Sequence, residues 1–191
     1  MTSAARTPLQ VYLLVVLALV AVQAATLLAM GRVPMCTCGT IRFWVGDVNS
    51  SENSQQIFDW YSFSHIIHGF IFYFVTWLAF PRAPIGLRFA LAVGIETTWE
   101  IIENTSWIID RYRAGTISLN YYGDSVVNSV SDNLSMMVGF VLARRLPIWL
   151  VIALALVIEV GLAYRIRDNL TLNIIMLIHP FESIKHWQSG G

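Results

Sequence analysis

Three glutamates stand in the stretch 96–104, Glu-Thr-Thr-Trp-Glu-Ile-Ile-Glu-Asn. At 100° per residue, Glu96, Glu100 and Glu103 fall within about 60° of one another, so one stripe of a helix carries all three acids. The apolar run Ile85 to Ile95 precedes them, and the stretch reads as the second half of a membrane-spanning helix. There a single ionised side chain costs roughly 2.5 to 3.5 kcal/mol on insertion scales. Acids so placed must face partners or water inside a bundle, and an intramembrane acid is a functional-site hypothesis by default.

Two histidines, His65 and His68, open another apolar run three residues apart, on adjoining sides of one turn. In a third run Asp124, Asn128, Ser131 and Ser135 recur at helical spacing, with Asp132 at the edge of the same face. Two chemistries fit these residue types. A divalent metal ion takes imidazole nitrogen and carboxylate oxygen, with His65, His68 and Glu96 as candidate ligands, and makes a nucleophile of bound water at neutral pH. Without metal, paired carboxylates repel, raise one pKa and divide into acid and base, a role open to Glu100, Glu103, Asp124 and Asn128 as candidate catalytic residues. Arg111, Arg113 and Asp132 complete the set as candidate substrate-binding groups, because a guanidinium matches a phosphate with two hydrogen bonds. No His-Glu-x-x-His and no Glu-x-x-His occurs, so neither the zinc-peptidase helix nor the di-iron bundle pattern applies. Each group also has a plain structural reading: histidines as interfacial anchors, glutamates protonated or paired with Arg111 and Arg113, Asn128 and the serines as interhelical hydrogen bonders.

The elements that must position these groups are membrane helices. Of 191 residues 56% are hydrophobic and only 13% charged, which describes one integral membrane domain over 1–191, with membrane lipid as its surroundings. Formal net charge is zero, without the basic patch a nucleic-acid partner requires. Spans are expected at about 9–30, 61–80, 85–104, 123–143 and 147–164, and the short run 170–187, bent by Pro180, is either a kinked sixth helix or a re-entrant segment. The fold class is therefore all-α, a polytopic bundle of five or six spans. The polar segment 31–60 reads as an extramembrane loop, and another follows the glutamates. Cys36 and Cys38, in one Cys-x-Cys, are read as free or partner-bound thiols of the first loop. Lysines and arginines tie between the two sides, and the short, acid-free loops on one side tip the amino terminus inside. Consecutive spans then bring the start of the second, the end of the third and the start of the fourth to one membrane face, which predicts a polar cavity.

Over nearly all its length the chain resembles an uncharacterised group of small bacterial inner-membrane proteins of unknown function. The motifs that carry this are Cys36-Thr-Cys38-Gly39, Ser64-His65-Ile66-Ile67-His68-Gly69, Trp99-Glu100-Ile101-Ile102-Glu103-Asn104, Asp110-Arg111-Tyr112-Arg113 and Tyr121-Tyr122-Gly123-Asp124. That resemblance implies a multi-pass protein of the bacterial inner membrane and brings no activity. The order of a His helix, a Glu-rich helix, an Arg loop and Asp-x-x-x-Asn opening a further helix also resembles the VanZ-like membrane proteins associated with glycopeptide resistance. The expectation for function is a membrane-embedded hydrolase or transferase acting on a lipid or envelope precursor, with a non-catalytic envelope binding or assembly protein, or a small transporter, as the alternatives.

Overall fold

A computed structural model of the protein describes residues 8–116, 118 and 120–190. Among these residues the chain is all-helical: α1 (Leu9–Ala29), α2 (Ser62–Ala79), α3 (Ile85–Glu103), α4 (Ser106–Gly115), α5 (Val126–Arg145), α6 (Ile148–Ile166), α7 (Leu170–Ile178) and α8 (Glu182–Gln188). Four of them, α1, α2, α5 and α6, are long and apolar enough to cross a membrane, which suggests a membrane protein. At 19 residues α3 is equally long, and it is the helix that carries the acid stripe. The flank of α6 agrees with lipid as neighbour: only Leu162 and Ile166 are buried, while Ile148, Val157 and Val160 are 78%, 69% and 67% exposed. So continuous an apolar surface is not expected against water.

Local chemistry sets the boundaries. Pro8, Pro84 and Pro147 precede α1, α3 and α6, where a missing N–H is harmless and the fixed φ suits entry to a helix. The Ser125 side chain accepts from the Asn128 N–H at the start of α5. The segment after the glutamates, expected as loop, contains a helix instead: the Thr105 side chain caps α4, and Ile108, Ile109 and Tyr112 give it a buried face. The last apolar run is two short helices split near Pro180. With 9 residues, α7 is about 14 Å long and cannot cross a hydrocarbon core of about 30 Å by itself. Its start explains Glu159, the acid inside apolar α6: the carboxylate accepts the orphan N–H groups of Leu170 at 3.0 Å and Thr171 at 3.1 Å.

The site is positioned by the contact between α2 and α5. Gly69 of α2 and Gly139 of α5 face each other backbone to backbone, so that a side chain on Gly69 would meet Met136 O and one on Gly139 would meet Ile66 O. Small residues permit this approach. The contacts Ser62 to Asp132 and Gly69 to Gly139 keep one register, so the two helices run parallel and hold His65 and His68 beside Asp132. Below the polar layer Val16, Ala90, Ala92, Val93, Met136 and Phe140 form the apolar core.

The segment between α1 and α2 is irregular but tied down. Val45 N–H donates to Phe58 O, and the Ser125 and Val126 N–H groups donate to Ser54 O and Val33 O. Cys36 and Cys38 form a disulfide with each other, in place of the free or partner-bound thiols expected. Their Cα atoms lie 5.2 Å apart, inside the range a disulfide spans.

Candidate functional site

Both histidines of α2 turn Nδ1 toward one carboxylate of α3. His65 Nδ1 lies 2.5 Å from Glu96 Oε1, and His68 Nδ1 lies 3.0 Å from Glu96 Oε2. The imidazole centroids are 5.0 Å apart. Each ring meets Glu96 either as an N–H donor or, with a cation between them, through its lone pair. One turn further along α3, Glu100 Oε1 comes to 3.4 Å from His65 Nδ1, and this oxygen is buried without a hydrogen-bond donor among the described residues. Its other oxygen accepts a 2.6 Å bond from Ser129 Oγ of α5. On the far side of the ring, His65 Nε2 faces Asp132 Oδ2 at 3.9 Å, and Asp132 accepts from Ser62 Oγ at 2.7 Å. Glu96, Glu100 and Asp132 are all buried, so α2, α3 and α5 deliver three acids and an imidazole pair into one enclosed space.

Above this cluster opens a cavity of about 420 Å³. His65, His68, Glu103, Asp124 and Asp132 contribute to its wall. Glu103 accepts from the Tyr112 hydroxyl at 2.9 Å, and the same hydroxyl lies 2.8 Å from Asn173 Oδ1 of α7. Asp124 is held by Asn104 in a reciprocal pair: Asn104 Nδ2 donates to Asp124 Oδ2 and Asp124 N–H donates to Asn104 Oδ1, both at 2.7 Å. The Tyr121 hydroxyl adds a third bond at 3.1 Å. Burial pushes the Asp124 carboxyl up to about 6, and the Asn104 and Tyr121 bonds hold it down only in part. Asp168, in the turn between α6 and α7, is likewise pushed up to about 6 by burial.

The other sequence candidates lie elsewhere. Asn128 is buried against the first loop and donates to Gln56 O at 2.9 Å. Arg111 reaches no carboxylate: Nε donates to Leu177 O at 2.8 Å and one terminal nitrogen to Ile178 O at 3.0 Å, closing the end of α7. Arg113 Nε donates to Tyr121 O at 2.6 Å. Neither arginine contributes to the cavity wall. Partners the sequence did not single out include Ser62, Asn104, Tyr112 and Ser129. Only Asn104 carried a signal, as the polar residue one turn beyond Glu100.

A polar web extends from Glu100 away from the cavity. Gln23 of α1 donates to Ser129 Oγ at 2.7 Å, and Asn133 donates to Gln23 Oε1 at 2.8 Å and to Thr97 Oγ1 at 3.1 Å. It explains Gln23, a fully buried polar residue within the apolar α1.

Among the described residues the chain is all-helical, with apolar helices around a buried layer of histidine and carboxylate, an architecture that suggests a membrane protein. The chain belongs to the family described as protein of unknown function (DUF2585), whose profile matches residues 27–190. It is 56% identical to a UPF0314 protein of Brucella anthropi over 177 residues, 93% of this chain and 90% of that protein. A UPF0314 protein of Sphingopyxis alaskensis is 55% identical over 178 residues, covering 93% of this chain and 95% of its own length. A third, from Paracoccus denitrificans, is 52% identical over 179 residues, 94% of this chain and 90% of its own. No solved structure matches.

Proposed function

We propose that this chain is a multi-pass enzyme of the bacterial inner membrane, a hydrolase or transferase whose centre is a divalent metal ion held by His65, His68 and Glu96. The observation that carries this reading is the convergence of donor atoms. One atom each from His65, His68 and Glu96 lie within 4.8 Å of one another, and the donor-free oxygen of Glu100 stands beside them. Metal bonds of about 2.0–2.2 Å place neighbouring ligand atoms about 3 Å apart, the spacing of most of these contacts. Charge supports it too, since Glu96, Glu100 and Asp132 are buried together and a cation offsets what two histidines alone cannot. An ion there would lower the pKa of bound water toward neutrality. Glu103 and Asp124, each positioned by a tyrosine hydroxyl at the cavity wall, are placed to move protons. In this reading α1, α2, α3, α5 and α6 are five spans with the amino terminus inside, and α7 is a re-entrant half-helix. The likeness to VanZ-like proteins rests on residue order alone.

Metal analysis of the purified protein tests the centre. We expect one divalent ion per chain after gentle, chelator-free purification at pH 7.5, its loss in His65→Ala and His68→Ala, and failure of Glu100→Gln at unchanged abundance to complement any phenotype of a deletion strain. Folded protein without stoichiometric metal sinks the metal centre. A second reading, a non-catalytic assembly protein, is favoured by the Gln23–Ser129–Asn133 web, which ties Glu100 into the packing of three helices. Loss of abundance in step with failure to complement supports that one.

A further inference from the structure

We infer that the cavity takes a lipid sideways from the bilayer, and that its head group carries hydroxyl or amino hydrogens and no net negative charge. This deepens the enzyme reading by naming its substrate class, and rests on that reading only for the turnover of the bound lipid. The water side of the cavity is closed by two loops bonded to each other. The Tyr122 hydroxyl donates to Ser51 O at 2.9 Å, and Gln55 Nε2 donates to Gly123 O at 2.8 Å. The other side is apolar. Ile71 of α2, Ile95 of α3 and Ile174 of α7 line the cavity and are yet 42%, 42% and 46% exposed, so they form a mouth on the flank that faces hydrocarbon. A cavity of about 420 Å³ lies near the lower end of small-molecule sites. It accepts a head group, and the acyl chains stay outside between α2, α3 and α7.

The inner wall selects the head group. Among the described residues no lysine or arginine lines the cavity, whereas Glu103, Asp124 and Asp132 do. An anionic head group would meet carboxyl groups and no side-chain cation at that wall, and the ion of the proposed centre is matched by the buried carboxylates Glu96 and Glu100. Two acceptors wait for a donor: Gln55 Oε1 and Asn53 Oδ1, both on residues of the wall, are buried with no partner among the described residues, and Gln55 is 1% exposed. Gln55 cannot turn away, because its amide nitrogen is spent on Ser54 O and Gly123 O, both at 2.8 Å. Buried acceptors are normally paired, and a hydroxyl or ammonium hydrogen is what these lack.

The test uses the full chain in phosphatidylcholine nanodiscs, with diazirine-bearing lipid probes mapped by mass spectrometry: a neutral glycosyl diacylglycerol and a phosphatidylglycerol. The glycolipid should label segments 62–80 and 170–178 in preference to the flank of α6. Excess unlabelled glycolipid or phosphatidylethanolamine should compete and phosphatidylglycerol should not. Gln55→Leu should weaken labelling about tenfold, the equivalent of one hydrogen bond. Ile174→Trp should block it, with Ile71→Trp, on the lipid side of the mouth, as a second blocking variant, and thermal unfolding reports whether each variant is folded. Equal labelling by phosphatidylglycerol, or labelling spread evenly over α6 and the mouth, overturns the proposal. Repetition after chelation separates the two readings: labelling that persists in metal-free protein keeps the substrate class whatever becomes of the metal. Loss of selectivity in metal-loaded protein overturns the class and leaves the metal standing.

Discussion

Ser129→Ala separates a metal centre from a purely structural web, because the Ser129 hydroxyl touches both. Its Oγ donates to Glu100 Oε2 at 2.6 Å and accepts from Gln23 at 2.7 Å. Removing it leaves Gln23 with a partner, since Gln23 Nε2 also donates to the Ser129 carbonyl at 3.0 Å. It leaves Glu100 with neither oxygen hydrogen-bonded. A hydrogen bond to a charged group contributes about 1.5–3 kcal/mol, so thermal stability in detergent should fall by that order. With Glu100, whose donor-free oxygen stands beside the three ligands, taken as a fourth, loss of its outer partner lowers affinity about 10- to 100-fold, about 1.4 to 2.7 kcal/mol. Titration of metal-stripped protein with zinc, read by calorimetry, should show that drop for Ser129→Ala, and a much smaller one for Asn133→Ala, which reaches Glu100 only through Gln23 and Ser129. A lowered unfolding temperature with unchanged zinc affinity would refute the assignment of Glu100 to the metal and leave it to the web.

The pH dependence of stability has a definite sign at Asp124 and Asp168. Each is pushed from 3.8 up to about 6 in the folded chain, so the native state binds the extra proton and stability falls as pH rises from about 4 to about 6, by about 3 kcal/mol for each. Asp124→Asn should make stability fall less steeply over that range in unfolding measured against pH, and an unchanged slope would contradict the burial argument. Arg111→Ala should make the end of α7 susceptible to protease, and Arg111→Lys should restore little, since an ammonium lacks the fork that reaches two carbonyls. Protection of α7 equal to wild type in Arg111→Ala would speak against this capping role. With Cys36 and Cys38 changed to Ser, Ser51→Cys should react with an impermeant thiol reagent in intact cells and Arg82→Cys only after permeabilisation. The reverse pattern inverts the orientation.

The helices were legible because lipid imposes a simple rule: apolar runs of about 20 residues bounded by prolines can only be helices. Leu9–Ala29 and Ile148–Ile166 end within two residues of the runs that announced them. Legibility ended where a short helix owes its existence to contacts far away in sequence. Nothing near Ser106 announces that Ile108, Ile109 and Tyr112 are buried, and nothing near Leu170 announces that Glu159 closes its first turn. The places of Arg111 and Arg113, away from the cavity wall, were illegible for the same reason. A guanidinium in a polar loop reads as aimed at a ligand, yet Arg111 bonds backbone carbonyls of α7 and Arg113 bonds that of Tyr121.

The acid stripe itself was legible as a face, but its division of labour was not. One helical stripe spans about 10 Å of depth from Glu96 to Glu103, so its members cannot share one environment. Glu96 meets both imidazoles, Glu100 is shared between His65 and the web, and Glu103 sits at the cavity wall under Tyr112. The parallel contact of α2 and α5 through Gly69 and Gly139 decides this, because it sets how far the histidines stand along α3. A shift of one turn, about 5.4 Å, would carry His65 from Glu96 to Glu100 and away from Asp132. The two glycines therefore hold the chemistry in register without touching it. Gly139→Ala, which forces the helices apart at Ile66 O, should disturb the His65–Glu96 pair more than any change at Arg111 or Arg113.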